Sequence, residues 1–255
     1  MNDKILGVDI GGTGIKGAIV DMKTGKLLTE RKKFATPVPS TPEAVCETIG
    51  KLIEALDYDG ELIGCGFPAI VKDGVALTAA NVDDSWIGVN IEKVLSKSCN
   101  KTVKVLNDAD AAGLAEIAYG AAKGEMGTVI LITIGTGIGS AMFTNGHLVH
   151  NSELGHFHLG GHDKVAEKYV SNAIRKKENL TWEEWGERFS QYLARVERMF
   201  VPNLFIFGGG ISKNFHDWSK HLKATARLAP ATFKNEAGVI GAAMYALQSA
   251  KKKDS

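Results

Sequence analysis

The chain has 255 residues, a formal net charge of +1 at pH 7, 23% charged residues and 44% hydrophobic residues. A chain of this length can bury a sizeable core, and the nearly neutral charge gives no reason to expect a nucleic-acid partner or an anionic membrane surface. The sequence shows no signal peptide and no apolar run long enough to span a membrane. Its three cysteines are widely spaced and form no metal or redox motif, which predicts a reduced, cytoplasmic setting.

A glycine-rich turn near the N-terminus joins two predicted strands. It has the sequence Asp-Ile-Gly-Gly-Thr-Gly-Ile-Lys over 9–16 and follows the apolar run 5–8. Because a strand rather than a helix follows the glycines, the pattern is neither a dinucleotide fingerprint nor a Walker loop. It suits a hairpin whose backbone N–H groups approach a phosphate, with a hydroxyl from Thr13, a charge from Lys16 and a carboxylate, Asp9, for a hydrated Mg²⁺. An ordinary glycine-rich hairpin with one surface lysine fits the same spacing.

Strands and helices alternate through the rest of the first half. A strand predicted over 27–34 carries three consecutive basic residues, Arg31, Lys32 and Lys33, which are typical of a solvated sheet edge. The remaining elements are a helix capped by Thr41, a buried strand over 62–67, a hairpin over 70–77, a helix over 91–98 and a strand over 103–106. The polar loop after the hairpin, which contains Asn81 and Trp86, either plugs the surface or lines a pocket for a polar ligand.

Asn107 and Asp108 lie where the strand 103–106 ends and a helix over 111–119 begins. Both residue types cap helices, but one cap is enough. In open α/β sheets, ligands bind beyond the carboxyl ends of the strands. There an Asp can take a proton from a substrate hydroxyl while an Asn binds the neighbouring hydroxyls. From the spacing alone, the cap and the catalytic interpretation stand equal.

Two further glycine clusters follow buried strands in the second half. Thr-Ile-Gly-Thr-Gly-Ile-Gly spans 133–139 after the strand 129–132, and Gly-Gly-Gly-Ile-Ser spans 208–212 after the strand 204–207. Since glycine costs backbone entropy wherever it lies, folding needs alone do not readily explain three strand-to-glycine turns in one chain. The two clusters therefore favour phosphate binding.

The rest of the second half is mostly helical. The predicted elements are a hairpin over 140–146, one helix over 163–177, a long helix that opens with a capping box at Thr181, a helix over 215–222, a short strand within 224–233 and a helix over 237–248. Because strands, hairpins and helices occur in this order twice, two α/β lobes with a cleft between them are predicted. The second lobe begins near Ala109.

A polar segment after the second glycine cluster contains Glu153, His156, His158, His162 and Asp163. Surface polarity explains such a cluster, and so does a metal site, although no cysteine accompanies the histidines and their spacing matches no zinc pattern. A carboxylate and an imidazole that bind the hydroxyls of a sugar are a third explanation. The spacing does not choose among the three.

Five motifs occur in an order that resembles the ROK family of sugar kinases and related repressors. They are Asp-Ile-Gly-Gly-Thr-Gly-Ile-Lys at 9–16, Asn-Asp-Ala-Asp-Ala-Ala at 107–112, Gly-Thr-Gly-Ile-Gly at 135–139, Glu-Leu-Gly-His at 153–156 and Gly-Gly-Gly-Ile-Ser at 208–212. The resemblance covers nearly the whole chain. Within the family the chain looks most like the polyphosphate glucokinases, on the segments 66–69, 80–81 with Trp86, 181–185 and 202–208.

The resemblance implies an α/β, actin/hexokinase-like (ribonuclease H-like) fold with two lobes and a central cleft. Residues 1–108 would form a small N-terminal lobe to which a C-terminal helix at about 237–250 returns, and residues 109–236 a large C-terminal lobe. A homodimer is the habit of the family.

The resemblance also implies a glucokinase that transfers a phosphoryl group from inorganic polyphosphate, ATP or both to the 6-hydroxyl of glucose. Asp108 would be the general base. The residues implied to hold the sugar are Asn81, Asn107, Asp108, Glu153, His156 and Glu167. The residues implied to bind the phosphate donor, which carries Mg²⁺, are Asp9, Gly11, Gly12, Thr13, Lys16, Gly135, Thr136, Gly137, Gly209 and Gly210. No protein group would bind Mg²⁺ directly, and Asp9 would reach it through water.

One departure from the family pattern concerns zinc. Most ROK proteins have a cysteine-rich segment that binds zinc after the Glu-x-Gly-His motif, but this chain has no cysteine after Cys99. That zinc site is therefore expected to be absent, as it is in the polyphosphate glucokinases. The last sugar-binding glutamate of the family normally follows the zinc cysteines, and Glu167 is the local match.

Two other functions compete with this interpretation. A sugar-sensing ROK repressor would need a DNA-binding segment before the first glycine turn, and only eight residues precede Asp9. An ATP-dependent kinase for glucose or for another hexose, such as N-acetylmannosamine or fructose, would share every motif, and only a substrate screen separates it.

Overall fold

The computed structural model describes residues 3–251. The chain forms two compact units, the first built from residues 3–115 and 236–251 and the second from residues 116–235. The strands, in chain order, are β1 (Lys4–Gly11), β2 (Gly14–Asp21), β3 (Lys32–Phe34), β4 (Leu62–Phe67), β5 (Val71–Lys72), β6 (Val75–Ala76), β7 (Thr102–Asn107), β8 (Thr128–Ile134), β9 (Ile138–Thr144), β10 (His147–Val149), β11 (Leu204–Gly208) and β12 (Arg227–Pro230). The helices are α1 (Pro42–Ala55), α2 (Ile91–Cys99), α3 (Asp108–Tyr119), α4 (Glu167–Val170), α5 (Asn172–Lys177), α6 (Trp182–Phe200), α7 (Phe215–Trp218) and α8 (Ala237–Lys251).

The first unit contains a five-stranded sheet in the order β3-β2-β1-β4-β7. β1, β2 and β3 form an antiparallel meander, whereas β1, β4 and β7 are parallel. The central parallel strand β4 is apolar and almost wholly buried, as expected for a strand that is covered on both faces. The carboxyl ends of the parallel strands carry the first glycine turn and the Asn107-Asp108 pair.

Glycines let α8 pack closely on this sheet. A Cβ added at Gly7 of β1 would overlap the carbonyl oxygen of Val239, and one added at Gly64 of β4 would overlap that of Ala242. The contacts are between backbones, which cannot move aside. The C-terminal helix therefore belongs to the first unit although it follows the second in the chain.

The helix predicted after Thr41 is confirmed. Thr41 is the N-cap of α1, where its hydroxyl accepts a hydrogen bond from the N–H of Ala44 at 3.4 Å, and Pro42 is the first helical residue. The buried face of α1 consists of Val45, Cys46, Thr48, Ile49 and Leu52.

The strand predicted over 27–34 is wrong in its first half, because only Lys32–Phe34 pair as a strand. The hydroxyl of Thr29 accepts the backbone N–H of Ile19 at 3.1 Å. In a continuous ladder, a backbone carbonyl of the neighbouring strand would accept this N–H of β2. Here the side chain of Thr29 accepts it instead. Leu27 contributes only an isolated bridge, to Val20.

The second unit repeats the plan with a five-stranded sheet in the order β10-β9-β8-β11-β12. β10, β9 and β8 form the antiparallel meander, and β8, β11 and β12 are parallel. α6 begins with the predicted capping box, in which Thr181 and Glu184 exchange hydrogen bonds. Its buried aromatic residues pack against β11 in a core that includes Trp185, Phe189, Tyr192, Phe205, Phe207 and Trp218.

Two predicted helices of the second unit are wrong in extent. The segment 163–177 is not one helix, because Ser171 is extended, with ψ of 158°, and its hydroxyl caps α5 by accepting the N–H of Ile174 at 3.4 Å. Helix starts only at Glu167, since Val165 instead forms a bridge with His158. The segment 215–222 is helical over Phe215–Trp218 and continues as a 3-10 turn over Ser219–His221.

None of the helices within residues 3–251 is long and apolar enough to cross a lipid bilayer.

Candidate active site

The first glycine turn is a two-residue hairpin connection. Gly12 and Thr13 form the turn between the paired residues Gly11 and Gly14, and both turn residues are exposed. The hydroxyl of Thr36 donates a hydrogen bond to the carbonyl of Gly11 and so fixes the base of the hairpin. The backbone of this turn is open to a ligand, as phosphate binding requires.

Asn81 lies directly against this turn. A Cβ added at Gly12 would lie 3.3 Å from Cβ of Asn81 and 3.5 Å from its backbone oxygen. The side chain of Asn81 is exposed. The structure therefore brings a predicted sugar ligand next to a predicted phosphate turn, which sequence spacing does not reveal.

Asp9 and Lys16 are cross-strand partners at the end of β1, and they form an ion pair. The distance from Nζ of Lys16 to Oδ2 of Asp9 is 3.0 Å, and the two side chains are 26% and 18% exposed. Asp9 is therefore the counter-ion of Lys16. The other carboxylate oxygen, Oδ1, lies towards Gly238, where an added Cβ would approach it to 3.2 Å.

Asn107 is the residue that caps α3. Its Oδ1 accepts hydrogen bonds from the N–H groups of Ala109 at 2.8 Å and Asp110 at 3.1 Å, and its Nδ2 donates to the carbonyl of Ala69 at 3.0 Å. The side chain is 7% exposed. An Asn amide has two N–H donors, and one of them remains for a ligand.

Asp108 is the first residue of α3 and is half-buried. Its Oδ1 accepts the N–H of Ala109 at 2.8 Å, and its Cα is 3.6 Å from the position of a Cβ added at Gly66 of β4. The register aligns Asp9, Gly66 and Leu106 across β1, β4 and β7. With an ordinary strand spacing, Asp9 and the Asn107-Asp108 pair lie about 10 Å apart on one edge of the sheet.

The second and third glycine clusters are neighbours in the second unit. Gly135, Thr136 and Gly137 connect β8 to β9, and the Gly209-Gly210 pair follows β11, which runs parallel to β8. Gly209 has φ of +78°, and an added Cβ would lie 2.6 Å from the carbonyl oxygen of Ile134. A residue with a side chain could not make this close approach at positive φ.

Glu167 contacts the second glycine turn. Its Oε2 accepts the backbone N–H of Ile138 at 3.3 Å, and a Cβ added at Gly137 would overlap this oxygen. Its Oε1 forms an ion pair with Nζ of Lys168 at 2.8 Å. The predicted sugar ligand Glu167 thus lies at a predicted donor turn.

The Glu-Leu-Gly-His segment lies at the same place. The N–H of Glu167 donates to the carbonyl of Gly155 at 3.0 Å, and a Cβ added at Gly155 would overlap the carbonyl oxygen of Ile138. Glu153 and His156 bind each other, with 3.0 Å between Oε2 and Nδ1. The second unit therefore brings Glu167 against the turn 135–137, and Gly155, which lies between Glu153 and His156, against the adjoining Ile138.

The other histidines of this segment have separate contacts. The ring of His162 packs on Tyr169, with 3.9 Å between centroids, and His158 forms the backbone bridge with Val165. In the part of the chain that the structure describes, no group of three or more His, Cys, Asp or Glu side chains is arranged to hold a metal ion.

The three cysteines are free thiols in the first unit. Burial, with a contribution from the Asp9 charge, raises the pKa of Cys65 in β4. Burial also raises the pKa of Cys99 to about 11. A raised pKa keeps both thiols mostly protonated near neutral pH, and a protonated thiol is a weak nucleophile.

Sequence reasoning missed three residues at the first unit's edge. Thr36, which bonds Gly11, gives no sequence signal. Asp110, two residues after Asp108, is fully buried in the first turn of α3, and the Asn-Asp-x-Asp spacing could have singled it out. Lys33, interpreted as a solvated edge residue, extends across Gly14 of the hairpin, and only the β2–β3 register reveals this.

A sequence model of the ROK family matches residues 5–168. This match covers more than half of the chain, and the chain therefore belongs to the ROK family, as its motifs predicted. The two mixed sheets are those of the actin/hexokinase-like fold that ROK kinases share, so the predicted fold class is confirmed.

Particular relatives extend the similarity over nearly the whole chain. The chain is 45% identical over 239 residues to the polyphosphate glucokinase of Mycobacterium tuberculosis, a match that covers 93% of this chain and 89% of that protein. It is 46% identical, with a TM-score of 0.89, to the crystal structure of an inorganic polyphosphate/ATP-glucomannokinase from Arthrobacter sp. strain KM, and the match covers 97% and 100% of the two chains. A ROK family glucokinase from Streptomyces griseus in complex with glucose and AMPPNP is 26% identical, with a TM-score of 0.80, and covers 96% and 99%.

Proposed function

We propose that this chain is a glucokinase that transfers a phosphoryl group from inorganic polyphosphate to the 6-hydroxyl of glucose. The observation that carries the proposal is the 45% identity over 93% of the chain to a polyphosphate glucokinase. The geometry agrees with it. A half-buried carboxylate, Asp108, stands at the carboxyl end of a parallel strand, and a hairpin with open backbone N–H groups lies on the same edge of the sheet.

Asp108 is the general base in this proposal. It takes the proton of the 6-hydroxyl while the hydroxyl oxygen forms a bond to the terminal phosphorus of the donor. The bond from that phosphorus to the bridging oxygen breaks, and the electron pair leaves with the bridging oxygen. The products are glucose 6-phosphate and a polyphosphate that is shorter by one phosphate. Asn107 keeps Asp108 in place because it caps the helix that Asp108 begins.

Five polar side chains are proposed to bind glucose in addition to Asp108. They are Asn81, Asn107, Glu153, His156 and Glu167. Asn107 has one amide N–H to offer, and the bonded pair of Glu153 and His156 presents an acceptor and a donor to neighbouring hydroxyls. Sites of this kind reject a sugar that lacks a hydroxyl, because a buried polar group is then left unpaired.

The glycine turns are proposed to bind the donor phosphates. The residues are Gly11, Gly12, Thr13, Lys16, Gly135, Thr136, Gly137, Gly209 and Gly210. Phosphoryl transfer needs positioning and neutralisation of charge more than covalent chemistry, and backbone N–H groups with one lysine supply both.

Mg²⁺ is proposed to accompany the donor, to whose phosphates it would supply positive charge. Mg²⁺ keeps several waters and binds few protein groups. The residues fit that behaviour, because Lys16 already occupies one side of the Asp9 carboxylate, and Oδ1 can accept a hydrogen bond from a metal-bound water. Asp9 would therefore hold the ion through water rather than directly.

We further propose that the protein works in the cytoplasm as a homodimer. The free thiols of Cys46, Cys65 and Cys99 suit a reducing compartment. The dimer follows from likeness to the family alone, and sedimentation of the purified protein tests it.

ATP is the second donor to consider, and mannose the second sugar. The specific reason is the 46% identity to an enzyme described as an inorganic polyphosphate/ATP-glucomannokinase. Either activity would use the same base and the same glycine turns.

The decisive experiment compares kcat/KM for glucose phosphorylation with purified long-chain polyphosphate and with ATP at equal free Mg²⁺, and repeats both with mannose. We expect polyphosphate to be the better donor. A clear preference for ATP, with polyphosphate nearly inert, would overturn the choice of donor and leave the glucokinase assignment standing. A failure to phosphorylate glucose with either donor would overturn the assignment itself.

A further inference from the structure

The short edge strand β3 places a lysine beside the phosphate hairpin. In the antiparallel pairing of β2 with β3, Lys33 is the direct partner of Lys16, and Lys32 is the partner of Gly17. Side chains alternate between the two faces of a sheet. Lys33 therefore shares the face of Lys16 and Asp9, whereas Lys32 points to the opposite face.

The side chain of Lys33 runs along the hairpin rather than into solvent. A Cβ added at Gly14 would overlap Cε of Lys33 and would lie 3.3 Å from both Cδ and Cγ. The missing side chain at Gly14 thus creates the groove in which the Lys33 stem rests. Its ammonium, one bond beyond Cε, lies beside the strand end that carries the Gly12-Thr13 turn.

The two lysines of this face differ in their charge balance. Lys16 is paired with Asp9 at 3.0 Å. Within residues 3–251, the side chain of Lys33 takes part in no ion pair and no hydrogen bond. A cation without a counter-ion next to a hairpin of open N–H groups attracts anions, and a polyanion most strongly.

Resting on the proposed function, we propose that Lys33 binds the phosphates of the polyphosphate chain that follow the transferred one. The hairpin N–H groups and Lys16 serve the transferred phosphoryl group. A polyphosphate continues beyond it with a negative charge on every unit and needs further cations along its path. ATP ends after three phosphates in an uncharged nucleoside. Lys33 therefore selects for the long donor.

The test compares three variants with the wild type: Lys33→Gln, Lys33→Arg and the matched control Lys32→Gln, which removes the same charge from the other face of the same strand. Steady-state rates are measured with long-chain polyphosphate and, separately, with ATP, at saturating glucose. We expect Lys33→Gln to raise the KM for polyphosphate by about 5-fold, as the loss of one exposed charge contact implies. Lys33→Arg and Lys32→Gln should stay within about twofold, because each leaves a cation beside the hairpin.

Two more measurements sharpen the test. The KM for polyphosphate should rise less steeply with salt in Lys33→Gln than in Lys32→Gln, because one screened contact is gone. The KM for ATP and for glucose should change less than the KM for polyphosphate. Since Lys33 and Lys32 are both exposed, all variants should melt like the wild type.

The outcomes separate the two proposals. If the wild type uses polyphosphate and Lys33→Gln behaves like Lys32→Gln, the role of Lys33 is refuted and the proposed function stands. An equal rise of the KM for ATP and for polyphosphate also refutes it, because Lys33 would then contact only the first phosphates. A wild type that does not use polyphosphate overturns the proposed function and the role of Lys33 with it.

Discussion

At the scale of single residues, the neighbours Asn107 and Asp108 divide two tasks that the sequence left undivided. The amide oxygen of Asn107 accepts hydrogen bonds from two N–H groups of α3, and its amide nitrogen donates one to the carbonyl of Ala69. These hydrogen bonds stabilise the fold. Asp108 is half-buried, and its Oδ1 accepts one of these two N–H groups, that of Ala109. This division favours the catalytic interpretation for Asp108, and it predicts different consequences when each residue is changed.

Asp108→Asn should keep the fold and glucose binding but lower kcat by about 100- to 10,000-fold, since an amide cannot take up the proton. Steady-state kinetics, a thermal melt and a glucose titration measure the three properties. As a contrast, Asn107→Ala should lower stability by about 0.5–2 kcal/mol through loss of the cap. A near-normal kcat in Asp108→Asn would show that Asp108 is not the base.

At the scale of secondary structure elements, glycines decide how closely α8 approaches the sheet of the first unit. Gly7 and Gly64 meet the carbonyl oxygens of Val239 and Ala242, which belong to the helix backbone. Backbone atoms cannot rotate away as a flexible side chain would. The close packing of α8 on β1 and β4 therefore depends on residues without a Cβ.

The same substitution at two glycines should give opposite results. Gly64→Ala should destabilise the protein by at least about 1–3 kcal/mol, the usual cost of overpacking. Gly50→Ala, inside α1 with nothing within 4 Å of the added Cβ, should stabilise it by about 0.5–1 kcal/mol. Thermal midpoints of the two variants and the wild type provide the measurement. Equal shifts of one sign would contradict the packing argument.

The sequence predicted those elements whose signals are local. Thr41 and Thr181 cap their helices, and the apolar runs before each glycine cluster form buried strands, because a cap or a period needs only a few neighbouring residues. Local signals also misled. Ser171 interrupts the segment 163–177 because its hydroxyl caps α5, and the hydroxyl of Thr29 accepts an N–H of β2 that would otherwise pair with a strand. In both cases a side chain competes with the backbone for a hydrogen bond.

Much of the site could be listed from motifs, but its contacts could not. The contact of Glu167 with Ile138 and that of Asn81 with Gly12 join segments far apart in the chain. The position of Lys33 depends on strand register, which no short pattern specifies. The residue types of a site are local information, whereas its distances come from the fold.

At the scale of the whole molecule, the chain lacks the cysteine-rich segment that most ROK proteins have. The segment that follows Glu153 is tied down by other contacts. His156 binds Glu153, His162 packs on Tyr169, and Arg188 lies over the same tyrosine ring at 4.8 Å. A side-chain hydrogen bond and two ring contacts are thus available where a metal would otherwise order the chain.

Zinc should therefore contribute nothing to stability. Purified protein that has been treated with EDTA and dialysed should contain far less than one zinc per chain, and its thermal midpoint should equal that of the untreated protein. Elemental analysis and a thermal melt measure both. Stoichiometric zinc, or a lower midpoint after chelation, would mean that His156, His158 and His162 have been misinterpreted.

The carboxylate of Glu167 accepts the N–H of Ile138, next to the turn that is proposed to bind the donor. If Glu167 binds the sugar as proposed, selection for a new sugar would act on it, but every replacement there also alters the support of that turn. Sugar preference and donor preference in such a chain would therefore not evolve independently. A laboratory lineage evolved towards another hexose should show changes in donor affinity that nobody selected, and compensating substitutions should collect in the turn 135–137.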